Sequence, residues 1–580
     1  MTADVRAPAP PVASPQQTPR SHRRVRWTAV GRRLGSRDGH LWPLLLLAGW
    51  TTGVWGWPAL RDFADLRLSN SGDSESFAFY LSWNVHALTH GENPFFTPNL
   101  YAPGGLDLGN AISVPSVSLL VAPVTAAFGG TAGYNAAFLL AIFFSGVAVY
   151  LLAREMFGSV VGATIAGVLT VMSPYFTGHA LSHLNMMWVF GLPFLAYLVA
   201  RAVDGRLRRR WLVVLVALTV AFTIGASTEL FVTQSLFGLL ALGVALAFAT
   251  SSVRSRLLAV APWVGLGGVL GIVLGSPVIL AALRSGIPET VINDPSLYPA
   301  DLTNVVAPTT YTWLGDGFFA PLRAHWLGND AENTAYLPVA LLAVVVTVIL
   351  VSRRRTTAGL AVFASIAFLL SLGPLLTIAG VRTVPLPWKL ATWIPGLDHA
   401  LPGRFSAFVF MALALLVAQA WTVRALPRPV VAGAALLACV LLLPNLPKMT
   451  FPVDASIPDF VTSGGLAEEL DAGENVLVLP AGQWGPGMRW MDELDFSFEM
   501  PAGNGGGALP PPALQEPLGA ALFSRDLDYD YEDELLPYLE EAQVDTVIVD
   551  SREPEWKAVM DRVLPGAAEA EDGAWVYHLP

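Results

Sequence analysis

Chemistry in this chain concentrates in a few polar segments set between long apolar runs. Asp73 and Glu75, in "SGDSESFAFYL", directly follow the first such run. An acid fixed there can take a proton from a hydroxyl brought to the membrane; Asp73 can equally cap the helix that it precedes. Phe77, Tyr80, Leu81, Val85 and Leu88 behind it recur at helical spacing, which predicts an amphipathic helix lying on the membrane. His179 and His183 are four apart and share a helix face. With Asp73 or Glu75 they could bind a divalent cation, since imidazole plus carboxylate suits several metals; the alternative is two histidines hydrogen-bonded to neighbouring loops. No specific metal motif is present, so the metal stays unknown.

Three further places carry charge. Glu229, in "ASTELF", sits at the tip of a tight hairpin, either facing the same cavity as Asp73 or solvated at the turn. Residues 283–335 mix Asp294, Asp301, Asp316, Asp330 and Glu332 with Tyr298, Tyr311, Trp313, His325 and Trp326. Carboxylates accept from sugar hydroxyls while ring faces cover the apolar side of a sugar, although a loop with its own small core would look the same. Lys389, His399 and Arg404 bracket the start of a late apolar run. A guanidinium at that boundary can grip a phosphate bidentately or snorkel to lipid headgroups.

The elements that must position these residues are helices in a bilayer. Of 580 residues, 53% are hydrophobic and 14% charged, where soluble domains carry about a quarter charged. Eleven spans are expected, at about 42–60, 133–153, 158–175, 185–201, 211–228, 231–250, 258–282, 336–352, 357–379, 404–422 and 429–446, each long enough for ~30 Å of hydrocarbon. Arg154, the run 206–210, Arg254 with Arg256, Arg353 to Arg355, and Arg424 with Arg428 all fall in cytoplasmic loops if the N-terminus is inside. The segment 111–128 then has to be a short, Pro-interrupted helix in the outer interface. Residues 1–41, with eight Arg against Asp4 and Asp38, read as a disordered basic cytoplasmic tail. The outer face of the plasma membrane then owns the loops 61–132, 176–184, 283–335 and 380–403. None of the spans has an ionisable residue near its middle, which counts against an ion-coupled transporter.

Residues 447–580 hold 27 of the 45 acids and six Lys or Arg, a local balance of −21. That excess argues against nucleic acid as a partner. "ENVLVLP", "VDTVIVD" and "AWVYHLP" read as strands and "PEWKAVMDRVL" as a helix, giving a small extracytoplasmic α/β domain. "AGNGGGALPPP" matches neither nucleotide-binding glycine pattern and reads as a long loop. The lone Cys439 excludes an internal disulfide framework.

A retained anchor span, an acid immediately after it and "HGENPFFTPNLYAPGGLDL" resemble the GT-C glycosyltransferase superfamily, more narrowly its actinobacterial and YfhO-like members. "YLLAREMFG", "SPYFTGHALSHLN", "YPADLTNVVAPTTYTWLG", "NDAENTAYLP" and "LPGRFSAFVFMALALL" continue the resemblance loosely across 42–446. It implies an all-α membrane domain and a polyprenyl-phosphate sugar donor. The acceptor would be an envelope glycan, lipid or protein. Asp73 would be the base or a metal ligand, with Glu75 as its acidic companion, and Asp301 and Glu332 would bind substrate. Where several members carry acids in the second outer loop, 176–184 has His179, His183 and the adjoining Asn185. On this reading Asp73 deprotonates the acceptor, Arg404 with Lys389 steadies the departing phosphate, and the anomeric carbon is inverted. A lipid-glycan translocase or envelope-assembly scaffold without catalysis is the rival.

Overall fold

The computed structural model describes residues 37–69, 72–286, 294–394, 397–449, 451–482, 485–506 and 516–580. Most of the basic N-terminal segment (1–36) and part of the glycine- and proline-rich loop (507–515) therefore lie outside the described residues.

The chain is mostly helical. Seven helices are long and apolar enough to cross a membrane: Pro115–Phe157, Val160–His179, Leu184–Val203, Arg209–Ala226, Thr228–Phe248, Ser251–Leu274 and Pro402–Ala420. Shorter apolar helices cover Val339–Val351, Arg355–Ser371 and Arg428–Leu441, and Leu41–Thr51 is the first α-helix of the described chain. Their burial is graded. Ser406–Ala420 is enclosed along its whole length, whereas Ser251–Leu274 buries only Gly267 and Gly271 and exposes Leu258, Val269 and Val273. So much exposed apolar surface requires hydrocarbon around it. The chain is membrane-embedded, with Pro402–Ala420 at the centre of the bundle.

The segment around 111–128 forms a short helix that starts at Pro115, contains Pro123 and is separated by a break at Gly129 (φ 79°, ψ 174°) from the helix that runs on to Phe157, short and Pro-interrupted as expected. One other sequence expectation meets a different geometry. The helix after Asp73 spans Asp73–His90, but its first three turns are enclosed by protein and do not lie on lipid. Phe77 and Leu81 pack into the bundle, while Phe79, Tyr80 and Trp83 pack against the C-terminal segment. Apolar residues on opposite sides of that helix thus have two separate protein partners, which a one-sided pattern cannot show.

The C-terminal segment carries a four-stranded sheet, ordered Val476–Leu479, Thr546–Asp550, Ala574–His578 and Glu569–Glu571. The first pair is parallel, with Val476 opposite Thr546; the others are antiparallel. Strand side chains alternate between faces. Leu477, Leu479, Val547 and Val549 face a core with Trp556 and Leu535, whereas Val476, Val478 and Ile548 share a core with Tyr80, Trp83 and Leu100. Leu66–Arg67 also pairs with Val453–Asp454. Ser76 and Tyr80 donate to the carbonyls of Asn504 and Gly505. The first loop and the C-terminal segment therefore form one packed body on one side of the bundle.

Candidate active site

Asp73 is the first residue of its helix. The cap position before it belongs to Gly72, whose φ of 104° suits glycine, and no side chain caps that end. The Asp73 carboxylate is thus free of a capping role and about one-third exposed, with Oδ2 3.8 Å from His183 Nε2. His183 comes from the second loop. There the short helix Pro174–His179 runs on for one more turn, the His183 N–H donating to the His179 carbonyl at 3.0 Å. The two imidazoles stand edge to face at 5.4 Å, and the Tyr175 ring meets His179 edge to face at 4.2 Å. Both nitrogens of His179 and Nδ1 of His183 are buried with no hydrogen-bond partner among the described residues.

Glu332 closes the group. Its Oε1 lies 3.9 Å from His183 Nδ1, and one ligand atom from each of His179, His183 and Glu332 lies within 4.8 Å of the other two. Its backbone is fixed by Asn329 and by close approach of the turn Pro402–Phe405. A Cβ on Gly403 would come within 2.7 Å of the Glu332 carbonyl oxygen, so glycine is needed there. That turn delivers Arg404, whose Nε lies 3.1 and 3.0 Å from the two Glu332 oxygens, with Nη2 also donating to Oε1. Arg404 Nη1 donates to Glu229 Oε2 at 2.6 Å. Glu229 stands in the first turn of Thr228–Phe248, where Ser227 caps by accepting from the Leu230 N–H. Burial works against ionising Glu332, but the adjoining Arg404 guanidinium prevails and holds its carboxyl down to about 2.

The sign of that shift gives an expected result. A carboxylate depressed from 4.5 to about 2 contributes stability that is complete above pH ~4.5 and lost as pH falls towards ~2, on the order of 3 kcal/mol. Thermal unfolding followed against pH should show this acid limb in the wild type, and Glu332→Gln should flatten it. An unchanged limb would mean that the Arg404–Glu332 pair is not what acid breaks.

The structure therefore brings together Asp73, His179, His183, Glu229, Glu332 and Arg404. It places the other candidates elsewhere. Glu75 points away from Asp73 into a buried ion triad, with Oε2 2.6 Å from Arg67 Nη1 and Oε1 2.9 Å from Arg489 Nε. Asp301 is buried and accepts from Thr303, Ala379 and Gly380, a load of donors that makes it a loop brace. Lys389 is exposed on the short helix Trp388–Ala391, with no ion pair among the described residues. Arg404 was expected to present a free guanidinium to phosphate; two carboxylates occupy it. Arg67 and Arg489 are not among the sequence candidates, although a base six residues before Asp73 and one of only six bases in an acidic tail are both visible in the sequence.

Three carboxylates (Asp73, Glu229, Glu332) against one guanidinium leave a formal net charge of −2 beside the two imidazoles. That balance, with an acid at the rim and unpartnered imidazole nitrogens, suits a site that takes a cation and activates a hydroxyl.

No protein-family model matches the sequence, and no curated protein sequence matches it. Solved structures do match in shape. The oligosaccharyltransferase AglB of Archaeoglobus fulgidus, in complex with an inhibitory peptide and a dolichol-phosphate, superposes with a TM-score of 0.53 at 14% identity, over 89% of this chain and 70% of that one. The Archaeoglobus fulgidus oligosaccharyltransferase in complex with Zn and sulfate gives 0.50 at 13% identity, over 93% and 73%. The mycobacterial arabinofuranosyltransferase AftD gives 0.55 at 13% identity, covering 94% of this chain but 40% of the other. Over most of its length the chain therefore shares its overall fold with these solved structures.

Proposed function

We propose that this chain transfers a sugar from a polyprenyl-phosphate donor to a hydroxyl of an envelope glycan, lipid or protein at the outer face of the plasma membrane. The observation that carries the reading is the convergence of Asp73, from the first loop, on His183 and Glu332, from two others. The acceptor oxygen attacks the anomeric carbon as its proton passes to Asp73, and the bond from that carbon to the phosphate oxygen breaks, so the configuration inverts. Glu332, kept ionised by Arg404, cannot supply a proton near neutral pH; its charge faces His183, and Arg404 acts as a positioning residue that holds Glu332.

A divalent cation fits this group of residues. Buried imidazole nitrogens without partners are uncommon, and ligation by His179, His183 and Glu332, with Asp73 nearby, would satisfy one nitrogen of each imidazole. Bound there, such an ion would supply Lewis-acid stabilisation of the departing phosphate. The likeness to a structure solved with Zn and sulfate supports this reading.

The arginine pattern supports eleven crossings with a cytoplasmic N-terminus and an extracytoplasmic C-terminal domain. One assay tests sidedness and chemistry together: sealed vesicles of known orientation, a labelled polyprenyl-phosphate sugar, and an impermeant acceptor added to the side that carries the C-terminal body. Label should move to the acceptor from that side alone. Donor that crosses between leaflets unconsumed would replace the transferase with the translocase.

A further inference from the structure

The Asp73–His90 helix carries a second cluster at its other end, about 25 Å from Asp73 at 1.5 Å per residue. His86 and His90 are four apart, and their rings stack with centroids 4.2 Å apart. Asp495, from the C-terminal segment, meets them with Oδ1 2.8 Å from His86 Nδ1. One ligand atom from each of the three lies within 4.8 Å of the other two, and Glu92 Oε2 is 3.9 Å from His86 Nε2. The catalytic reading uses none of these residues.

The cluster is held in place from both sides. Trp83 stacks on His86 at 5.6 Å and Phe496 closes over it at 4.7 Å. Asp495 and Phe496 both have positive φ, 51° and 59°, a conformation unfavourable to residues with a Cβ. The chain accepts it twice in succession where the Asp495 carboxylate meets His86. His90 and Asp495 are exposed, so an ion can reach them without opening the fold.

We propose that His86, His90 and Asp495 form a second metal site, for a divalent ion of the zinc class, which ties the C-terminal segment to the helix that presents Asp73. Two imidazoles and one carboxylate are a ligand set that zinc accepts, with water completing the shell. The small shifts needed to reach ligation distances fall on exposed side chains.

The test uses the full chain in lipid nanodiscs, stripped with a chelator and titrated with Co2+, whose visible absorption reports coordination, and then with Zn2+. Wild type should bind one equivalent that both His90→Ala and Asp495→Asn weaken at least about tenfold, since a lost direct ligand costs no less than the 10- to 100-fold of outer-shell partners. Zn2+ should also slow backbone hydrogen exchange over residues 491–499 in wild type and not in either variant. His183→Ala should leave this equivalent intact, which separates it from any ion held by His179, His183 and Glu332. Metal-free melting, with His90→Gln as a milder variant, checks that the substituted proteins are folded. Equal affinity and stoichiometry in wild type, His90→Ala and Asp495→Asn would overturn the proposal.

Discussion

Asp73→Asn should leave the protein folded while lowering sugar transfer by about 10²–10⁴-fold, the usual contribution of a general base. The substitution keeps size and hydrogen-bonding capacity and removes the proton acceptor. Because Gly72 holds the cap position, the structural cost is limited to the favourable placement of an acid in the first helical turn, about 0.3–1 kcal/mol. Initial rates with a labelled polyprenyl-phosphate donor, on matched amounts of folded protein, should show the loss mainly in kcat. Transfer near the wild-type rate would reject Asp73 as the base and leave Glu229 as the remaining acid of the group with solvent access.

Glu75→Gln should do the opposite. The Arg67 and Glu75 side chains are 2% and 4% exposed, and the Arg489 side chain is 13% exposed. Neutralising the shared carboxylate strands two guanidiniums in a desolvated place, and breaking such a buried pair costs about 3–5 kcal/mol. Melting temperature and the yield of monodisperse protein should fall sharply, while the folded fraction keeps most of its transfer rate per molecule. A Glu75→Gln protein that melts like wild type but is inactive would return Glu75 to the catalytic group and remove its structural assignment.

These two acids show where residue types and spacing stop being informative. Read from the sequence, Asp73 and Glu75 look alike: adjacent acids after an apolar run. On a helix, residues two apart point about 200° away from each other, so only one can reach the second loop. Asp73 does, and Glu75 turns to Arg67 and Arg489. His179 and His183 were legible because helical spacing survives through the turn at 180–183. Glu332 was legible through family likeness. The partners of Arg404 were not, because Glu229 and Glu332 are 175 and 72 residues away from it, and nothing local shows which charges a bundle will bring to one guanidinium. Asp301 misled for a related reason. A polar residue among aromatics looks like a sugar ligand, yet four backbone and side-chain donors from Thr303, Ala379 and Gly380 saturate it.

The shared core of the first loop and the C-terminal segment also sets an order of events during synthesis. Ser76 and Tyr80 bond to residues 428 and 425 positions later, and Arg67 pairs with Val453. At ~5–20 residues per second, roughly 20–80 s separate the appearance of the Asp73–His90 helix from that of its last partners. Throughout that interval Phe79, Tyr80, Trp83 and the charged Arg67 and Glu75 lack the surfaces that will enclose them. The nascent chain thus exposes an adhesive patch beside the membrane for most of its translation, and the helix that presents Asp73 reaches its final packing only when the ribosome is nearly finished.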